Sequence, residues 1–113
     1  MLVVDDDPDI LHLLGMLLSS EGCEAREASD GASALSLLDG VDVALVDQRM
    51  PEMTGTELIA AAKAAGATCR FLVVSSDIEI GSEARAAGAD AFLPKPIHIP
   101  ALLSAIGRLF AAP

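Results

Sequence analysis

Val43-Ala44-Leu45-Val46-Asp47 is the stretch of sequence that decides the fold. Its four apolar residues stand side by side with no polar residue among them, which is typical of a strand covered on both faces. Strands of this kind lie in parallel sheets, where helices pack on both sides. We therefore predict that residues 43–46 form the middle strand of a parallel sheet and that Asp47 lies at its carboxyl end.

Along the whole chain, this run included, short apolar runs alternate with segments of helical spacing in five successive pairs. This alternation predicts strand–helix units and an α/β fold with a parallel sheet. The fourth helix should be short and easily deformed, because it contains Gly81 and ends at Gly88. The predicted strands are 1–4, 23–28, 43–46, 71–74 and 91–93. The predicted helices are one that begins at Pro8 behind an Asp7 cap and is stopped by Gly22, one after Ser29-Asp30, 56–65, 80–87, and one from Pro100 with an inner side of Leu102, Leu103, Ile106, Leu109 and Phe110.

Composition and charge narrow the class of protein. The 113 residues are 52% hydrophobic, which predicts a single domain, 1–113, whose core needs no disulfide or structural metal. The net charge of -10 repels phosphate backbones and anionic lipids, so direct binding to nucleic acid or membrane is not expected. No signal-like or membrane-spanning stretch is found, and a cytoplasmic location is expected. Cys23 and Cys69 are predicted to be reduced thiols packed as small apolar residues.

Polar side chains follow four of the five predicted strands. Asp5 and Asp6 follow the first strand, Asp47 the third, Ser75 the fourth and Lys95 the fifth. In an open parallel sheet, ligands bind outside the carboxyl ends of the strands. We therefore expect three carboxylates, a hydroxyl and an ammonium group to meet at one edge of the sheet.

Such a cluster predicts a phosphoryl site with a divalent cation. Converging carboxylates repel one another unless a cation compensates them, and Mg²⁺ prefers a few carboxylates together with phosphate oxygens. Lys95 and Ser75 can bind phosphoryl oxygens. An ionised Asp47 can itself act as the nucleophile and form an aspartyl phosphate.

Simpler interpretations apply to each residue taken singly. Taken alone, the run Asp5-Asp6-Asp7-Pro8-Asp9 is typical of a helix cap. It indicates a phosphoryl site only in combination with the polar residues that follow the other strands. The same run resembles the start of a calcium loop, but Ile10 stands where that loop requires glycine and Met16 where it requires Glu. His12 and His98 are predicted to be surface residues, not ligands or phosphorelay histidines.

Over nearly its whole length the chain resembles the receiver domain of bacterial two-component response regulators. The resemblance implies a flavodoxin-like (βα)5 fold, a doubly wound five-stranded parallel sheet in the order 2-1-3-4-5. The pieces that carry it are Val3-Val4-Asp5-Asp6, Val46-Asp47-Gln48-Arg49-Met50-Pro51, Gly55, Val74-Ser75 and Leu93-Pro94-Lys95-Pro96.

The resemblance also implies a role for each site residue. The chain would accept a phosphoryl group and would not turn over an external substrate, beyond self-catalysed transfer and autodephosphorylation. The implied roles are Asp47 as phosphoryl acceptor, Asp5, Asp6 and Asp47 with the backbone carbonyl of Arg49 as ligands of Mg²⁺ or Mn²⁺, Ser75 and Lys95 as phosphoryl-binding groups, Phe92 as an aromatic that changes rotamer, and Lys95-Pro96 as a candidate cis peptide.

The implied partners are those of a signalling switch. A sensor histidine kinase or a phosphotransfer protein would donate the phosphoryl group from a phosphohistidine. The surface formed by the fourth helix, the fifth strand and the last helix would then change. The changed surface would bind a downstream protein, a fused output domain or a second copy in a homodimer. The fourth-helix region is shorter than in the family, and this departure falls on the surface that many receivers use for dimerisation.

Two other classes of function remain as alternatives. A metal-dependent phosphatase with a nucleophilic Asp needs a second acid two residues later, where this chain has Arg49, and needs a cap insertion that is lacking. A receiver-like binding module that is not phosphorylated would have lost the acceptor, the acid pair or the lysine, and none is missing here.

Arg49 and Asp77 form a further hypothesis. Each stands two residues after a site residue, so the two side chains could pair across the mouth of the site. Such a pair would hinder an attacking water and lengthen the life of an aspartyl phosphate. The alternative is that both are solvated, since exposed ion pairs contribute only about 0 to 1 kcal/mol.

Overall fold

The computed structural model describes residues 1–111 and contains a single sheet of five parallel strands in the order β2-β1-β3-β4-β5. This is the order that the resemblance implied. The strands are β1 (Leu2–Val4), β2 (Arg26–Ala28), β3 (Val43–Asp47), β4 (Arg70–Ser75) and β5 (Ala91–Pro94), and the helices are α1 (Pro8–Ser20), α2 (Gly31–Ser36), α3 (Gly55–Ala64), α4 (Ile80–Ala87) and α5 (Ile99–Ala111).

β3 lies at the centre of the sheet, as its apolar sequence predicts. All five of its residues are buried. Side chains alternate between the two faces of a strand, so Ala44 and Val46 belong to one core cluster while Val43 and Leu45 belong to the other. The first cluster is covered by α2, α3 and α4, and the second by α1 and α5.

The register of the strands brings their carboxyl ends to one edge. Val4 pairs with Val46, so Asp5 and Asp47 are neighbours at the ends of β1 and β3. On the other side of β3, Asp47 pairs with Val74. The sheet therefore positions the predicted site residues before any side-chain interaction is considered.

Local signals explain where α1 begins and ends. The Asp7 side chain accepts the N–H of Asp9 at 2.9 Å, and Pro8 occupies the first turn, where no N–H is required. Gly22, just beyond the helix, has a φ of 83° that few other residues tolerate. Asp30 caps α2 by accepting the N–H of Ser33 at 2.7 Å.

Two predictions about the elements are wrong in detail. The strand expected at 23–28 begins only at Arg26, because β1 offers three residues for pairing and β2 has no other neighbour. Phe110, expected on the inner side of α5, is 44% exposed. The buried stripe of that helix follows the spacing i, i+3, i+4 and i+7, which leaves Phe110 one position beyond it; the stripe consists of Leu102, Ala105, Ile106 and Leu109.

Other expectations are met within residues 1–111. The Lys95–Pro96 peptide bond is cis. Cys23 and Cys69 are free, and Cys69 is buried. α4 is short, as expected. None of the helices combines the length and the apolar character needed to cross a membrane.

Candidate functional site

Three aspartates form the centre of the site. Oxygen atoms of Asp5, Asp6 and Asp47 all lie within 4.8 Å of one another. Asp5 and Asp47 are buried, with exposures of 5% and 6%, whereas Asp6 is exposed. The cluster therefore has a buried floor and one carboxylate that is open to solvent.

Lys95 supplies the positive charge next to Asp47. Its Nζ lies 2.8 Å from Asp47 Oδ1, an oxygen that is fully buried and makes no well-oriented hydrogen bond within the described chain. Burial disfavours the charged form of Lys95, but the ion pair with Asp47 and the charges of Asp5 and Asp6 outweigh it and raise the pKa of the ammonium group. Lys95 is therefore protonated at neutral pH.

The environment of Asp5 shows that negative charge is in excess. Burial, followed by the charges of Asp47 and Asp6, raises the pKa of Asp5, against the opposing effects of the Asp7 N–H and Lys95. That N–H donates to Asp5 Oδ1 at 2.9 Å. One ammonium group does not balance three carboxylates, because Lys95 is the cation that pairs with Asp47 while Asp5 and Asp6 lie within 4.8 Å. This donor set fits a hard divalent cation such as Mg²⁺.

Ser75 lies at the end of β4, and its hydroxyl oxygen is already engaged. Ser75 Oγ accepts the N–H of Asp77 at 3.1 Å. The hydroxyl proton is not used in that bond and can be donated to another group. The cleft at this edge is lined by Asp5, Asp6, Asp7, Ile10, Asp47, Arg49, Ser75, Ser76 and Lys95.

The structure does not bring Arg49 and Asp77 together. Arg49 is exposed and lines the cleft, and within residues 1–111 no ion pair joins it to Asp77. Asp77 Oδ1 instead accepts the N–H of Glu79 at 3.0 Å. The predicted pairing is thus not a feature of this conformation.

Phe92 lies on β5 beneath α4. It is half-buried and packs against the core cluster on the α2, α3 and α4 side of the sheet. A Cβ added at Gly81 of α4 would stand 3.7 Å from the ring. Phe92 therefore lies next to α4, the helix that the implied change of its rotamer would affect.

Gln48 is a site-adjacent residue that the sequence analysis missed. It is only 9% exposed, and its side-chain amide binds Thr56 at the start of α3. Gly55, the first residue of α3, allows the helix to approach the site closely, since a Cβ there would lie 2.8 Å from the carbonyl oxygen of Asp47. The only sequence signal for this contact was an amide directly after Asp47, the last residue of β3.

The strand order and the acidic carboxyl edge place the chain among flavodoxin-like α/β proteins. A family model for the response regulator receiver domain matches residues 1–107. The receiver domain of NtrX from Brucella abortus superposes with a TM-score of 0.91 at 29% identity, covering 99% of this chain and 98% of that one. Chemotaxis protein CheY4 of Vibrio cholerae gives a TM-score of 0.87 at 31% identity, with coverages of 96% and 95%. The chain belongs to the response regulator receiver domain family.

Curated relatives are longer proteins. The chain is 38% identical over 110 residues to transcriptional regulatory protein GlrR of Escherichia coli, covering 94% of this chain and 25% of that protein. A cyclic di-GMP phosphodiesterase of Thermotoga maritima is 38% identical over 104 residues, with coverages of 90% and 28%. The chain thus spans about a quarter of the length of these relatives.

The family establishes a general function. Receiver domains are phosphorylation switches of two-component signalling that pair with histidine kinases and output domains, and they bind Mg²⁺ in an acidic pocket. They are signalling domains and not turnover enzymes, so the phosphodiesterase name belongs to that relative.

Proposed function

We propose that this chain, as a single domain, is a switch in which Asp47 accepts the phosphoryl group of a phosphohistidine on a sensor histidine kinase or phosphotransfer protein. One observation carries the proposal: the Asp47 carboxylate lies against Lys95 at 2.8 Å and shares a 4.8 Å cluster with Asp5 and Asp6. This cluster stands at the open edge of the sheet, where a partner's side chain can reach it.

The aspartates would hold the metal ion. Asp5, Asp6 and Asp47, with the backbone carbonyl of Arg49, supply oxygen ligands that suit Mg²⁺ or Mn²⁺. When bound, the ion would neutralise the negative charge that gathers as two anions approach each other. The raised pKa of Asp5 supports this assignment, because burial first and the charges of Asp47 and Asp6 next disfavour its charged form, and a bound cation would favour that form.

The transfer itself requires one bond to form and one to break. A carboxylate oxygen of Asp47 attacks phosphorus, the P–N bond of the phosphohistidine breaks, and its electron pair returns to the imidazole ring. Lys95 is already in contact with Asp47 and can move to a phosphoryl oxygen. Ser75 can donate its hydroxyl proton to another oxygen without losing the bond from Asp77.

The response would spread through the loop after β4. Movement of Ser75 toward the phosphoryl group draws in the loop 76–79, which opens space for Phe92 and shifts α4. Changing the ratio of the switched to the unswitched conformation from 1:99 to 99:1 requires about 5.5 kcal/mol of differential interaction. One phosphoryl group therefore shifts the population of the switched conformation only in part. The changed α4–β5–α5 surface would serve a downstream protein, a fused output domain or a homodimer.

Incubation with acetyl phosphate and Mg²⁺ tests the proposal. Intact mass spectrometry should find one added phosphoryl group on the parent chain and none on Asp47→Asn. Asp42→Asn is the matched control, because Asp42 is an exposed acid just before the opposite end of the same strand, and it should keep the adduct. An unmodified parent, or an adduct that survives Asp47→Asn, would overturn the assignment. Steady turnover of a phosphoester would favour the phosphatase instead.

A further inference from the structure

The first turn of α3 is capped by a side chain from outside the helix. Gln48 follows Asp47 at the end of β3 and is nearly buried. Its Oε1 accepts the N–H of Thr56 at 2.9 Å, and its Nε2 donates to Thr56 Oγ1 at 3.2 Å. Both ends of the amide therefore bind one residue of α3.

The first three N–H groups of α3 all have partners, and two of these partners are on Gln48. Gly55 N–H donates to the carbonyl oxygen of Gln48 at 3.0 Å, and Thr56 N–H donates to its side chain. Glu57 N–H donates to Thr54 Oγ1 at 3.2 Å. A helix leaves these groups unpaired unless another group accepts their protons, so Gln48 completes the start of α3.

The start of α3 also lies directly against the peptide of the proposed acceptor. A Cβ at Gly55 would be 2.8 Å from the carbonyl oxygen of Asp47 and 3.0 Å from Gln48 Oε1. The intervening segment 49–54 therefore begins and ends at Gln48. It contains Arg49, whose carbonyl is a proposed metal ligand, and Glu52, whose φ of 70° is unusual for a residue with a side chain.

We propose that Gln48 is a positioning residue that sets the metal affinity of the aspartate cluster by closing the base of the segment 49–54. The inference rests on the proposed function, because it assumes that the Arg49 carbonyl is a ligand. Without the amide, one backbone hydrogen bond from Gly55 closes the segment. The Arg49 carbonyl then occupies a wider range of positions, and ordering it costs part of the binding free energy.

Four variants separate positioning from simple helix capping. Gln48→Met keeps the length of the side chain and loses both hydrogen bonds. Thr56→Val keeps the backbone N–H and loses only the hydroxyl, while Thr56→Ser retains both groups. Glu57→Ala removes the acceptor of the Thr54 N–H, a bond of 3.0 Å in the same turn, and leaves Gln48 untouched.

The measurements are calorimetric titration of each unphosphorylated chain with Mg²⁺ and urea unfolding without the ion. We expect Gln48→Met to raise the Kd for Mg²⁺ about tenfold, as loss of a ligand's supporting partner typically does. Thr56→Val should give a smaller rise. Thr56→Ser should restore the parent affinity, and Glu57→Ala should unfold more easily with the Kd unchanged.

Each outcome decides the proposal. A Gln48→Met chain that unfolds more easily but keeps the parent Kd would reduce Gln48 to a helix cap and overturn it. Where Gln48→Met does not fold, the Kd of Thr56→Val decides in the same way. A parent chain that binds no Mg²⁺ would overturn both the proposed function and this inference. If the parent chain binds Mg²⁺ and becomes phosphorylated, the proposed function stands, and a negative result with the variants counts only against the role of Gln48.

Discussion

The side chain of Asp5 carries a charge that the fold does not fully compensate. It is buried beside Asp47 and Asp6, and burial is the main cause of its raised pKa. The native protein therefore holds this proton more tightly than the unfolded chain does. It follows that the contribution of Asp5 to the free energy of unfolding falls as pH rises from the ordinary pKa of 3.8 through the raised value.

Replacing this carboxylate should stabilise the metal-free protein. We expect Asp5→Asn to raise the free energy of unfolding at pH 7 by about 1 kcal/mol, because the amide keeps an oxygen for the Asp7 N–H and removes the charge. The gain should shrink as pH falls toward 3.8, because Asp5 of the parent then takes up a proton and loses its charge as well.

Urea unfolding followed by far-ultraviolet circular dichroism measures this effect, since the chain has no Trp for fluorescence. Asp42→Asn serves again as the control for loss of one negative charge. If the Asp5→Asn chain were less stable than the parent at pH 7 without metal, the buried charge of Asp5 would not be destabilising, and this prediction would be wrong.

Among the elements, α4 is the least firmly anchored helix next to the site. It begins at Ile80 with no side-chain cap, contains Gly81, and has Ala84 as its one buried residue. α3 differs in its cap and in its burial, because it has the capping box of Thr54 and Glu57 and five buried residues. A helix with so few buried contacts can move at low cost.

Hydrogen exchange should reveal this difference between the two helices. We expect amide protons of α4 to exchange faster than those of α3 in the unphosphorylated protein, because local opening of α4 exposes little apolar surface. Exchange measured by mass spectrometry on peptides from each helix tests it, with α3 as the internal reference. Equal protection of the two helices would argue against α4 as the mobile element.

The elements also show how far local sequence signals reach. Asp7, Pro8 and Gly22 placed α1 correctly, because caps and helix stops act within a few residues. The length of β2 was overestimated, since it is limited by the three residues that β1 offers as partners. Such a limit is set by a neighbouring strand and is absent from the sequence of β2.

At the scale of the whole molecule, acidic charge dominates. The net charge of -10 includes the cluster at the carboxyl edge, where a cation that binds only the native state stabilises it. General screening of the charge by salt is a separate and weaker effect.

Mg²⁺ should therefore raise the melting temperature of the parent by binding at the site. At about 100 times its Kd, a ligand specific for the native state adds about 2.7 kcal/mol to the free energy of unfolding. Calorimetric melting in Mg²⁺, compared with NaCl of the same ionic strength, measures the specific part, and Asp6→Asn should lose most of it. Equal stabilisation by the two salts would show that only screening occurs.

The sequence by itself determined the parallel α/β fold and the set Asp5, Asp6, Asp47, Ser75 and Lys95, because apolar strands and the residues that follow them are both local patterns. Only the tertiary structure decided which side chains interact at that edge. It joined Gln48 to Thr56 and left Arg49 apart from Asp77, since hydrogen bonds and ion pairs depend on distances between elements. Those distances arise from packing across the sheet, which involves residues far apart in the chain.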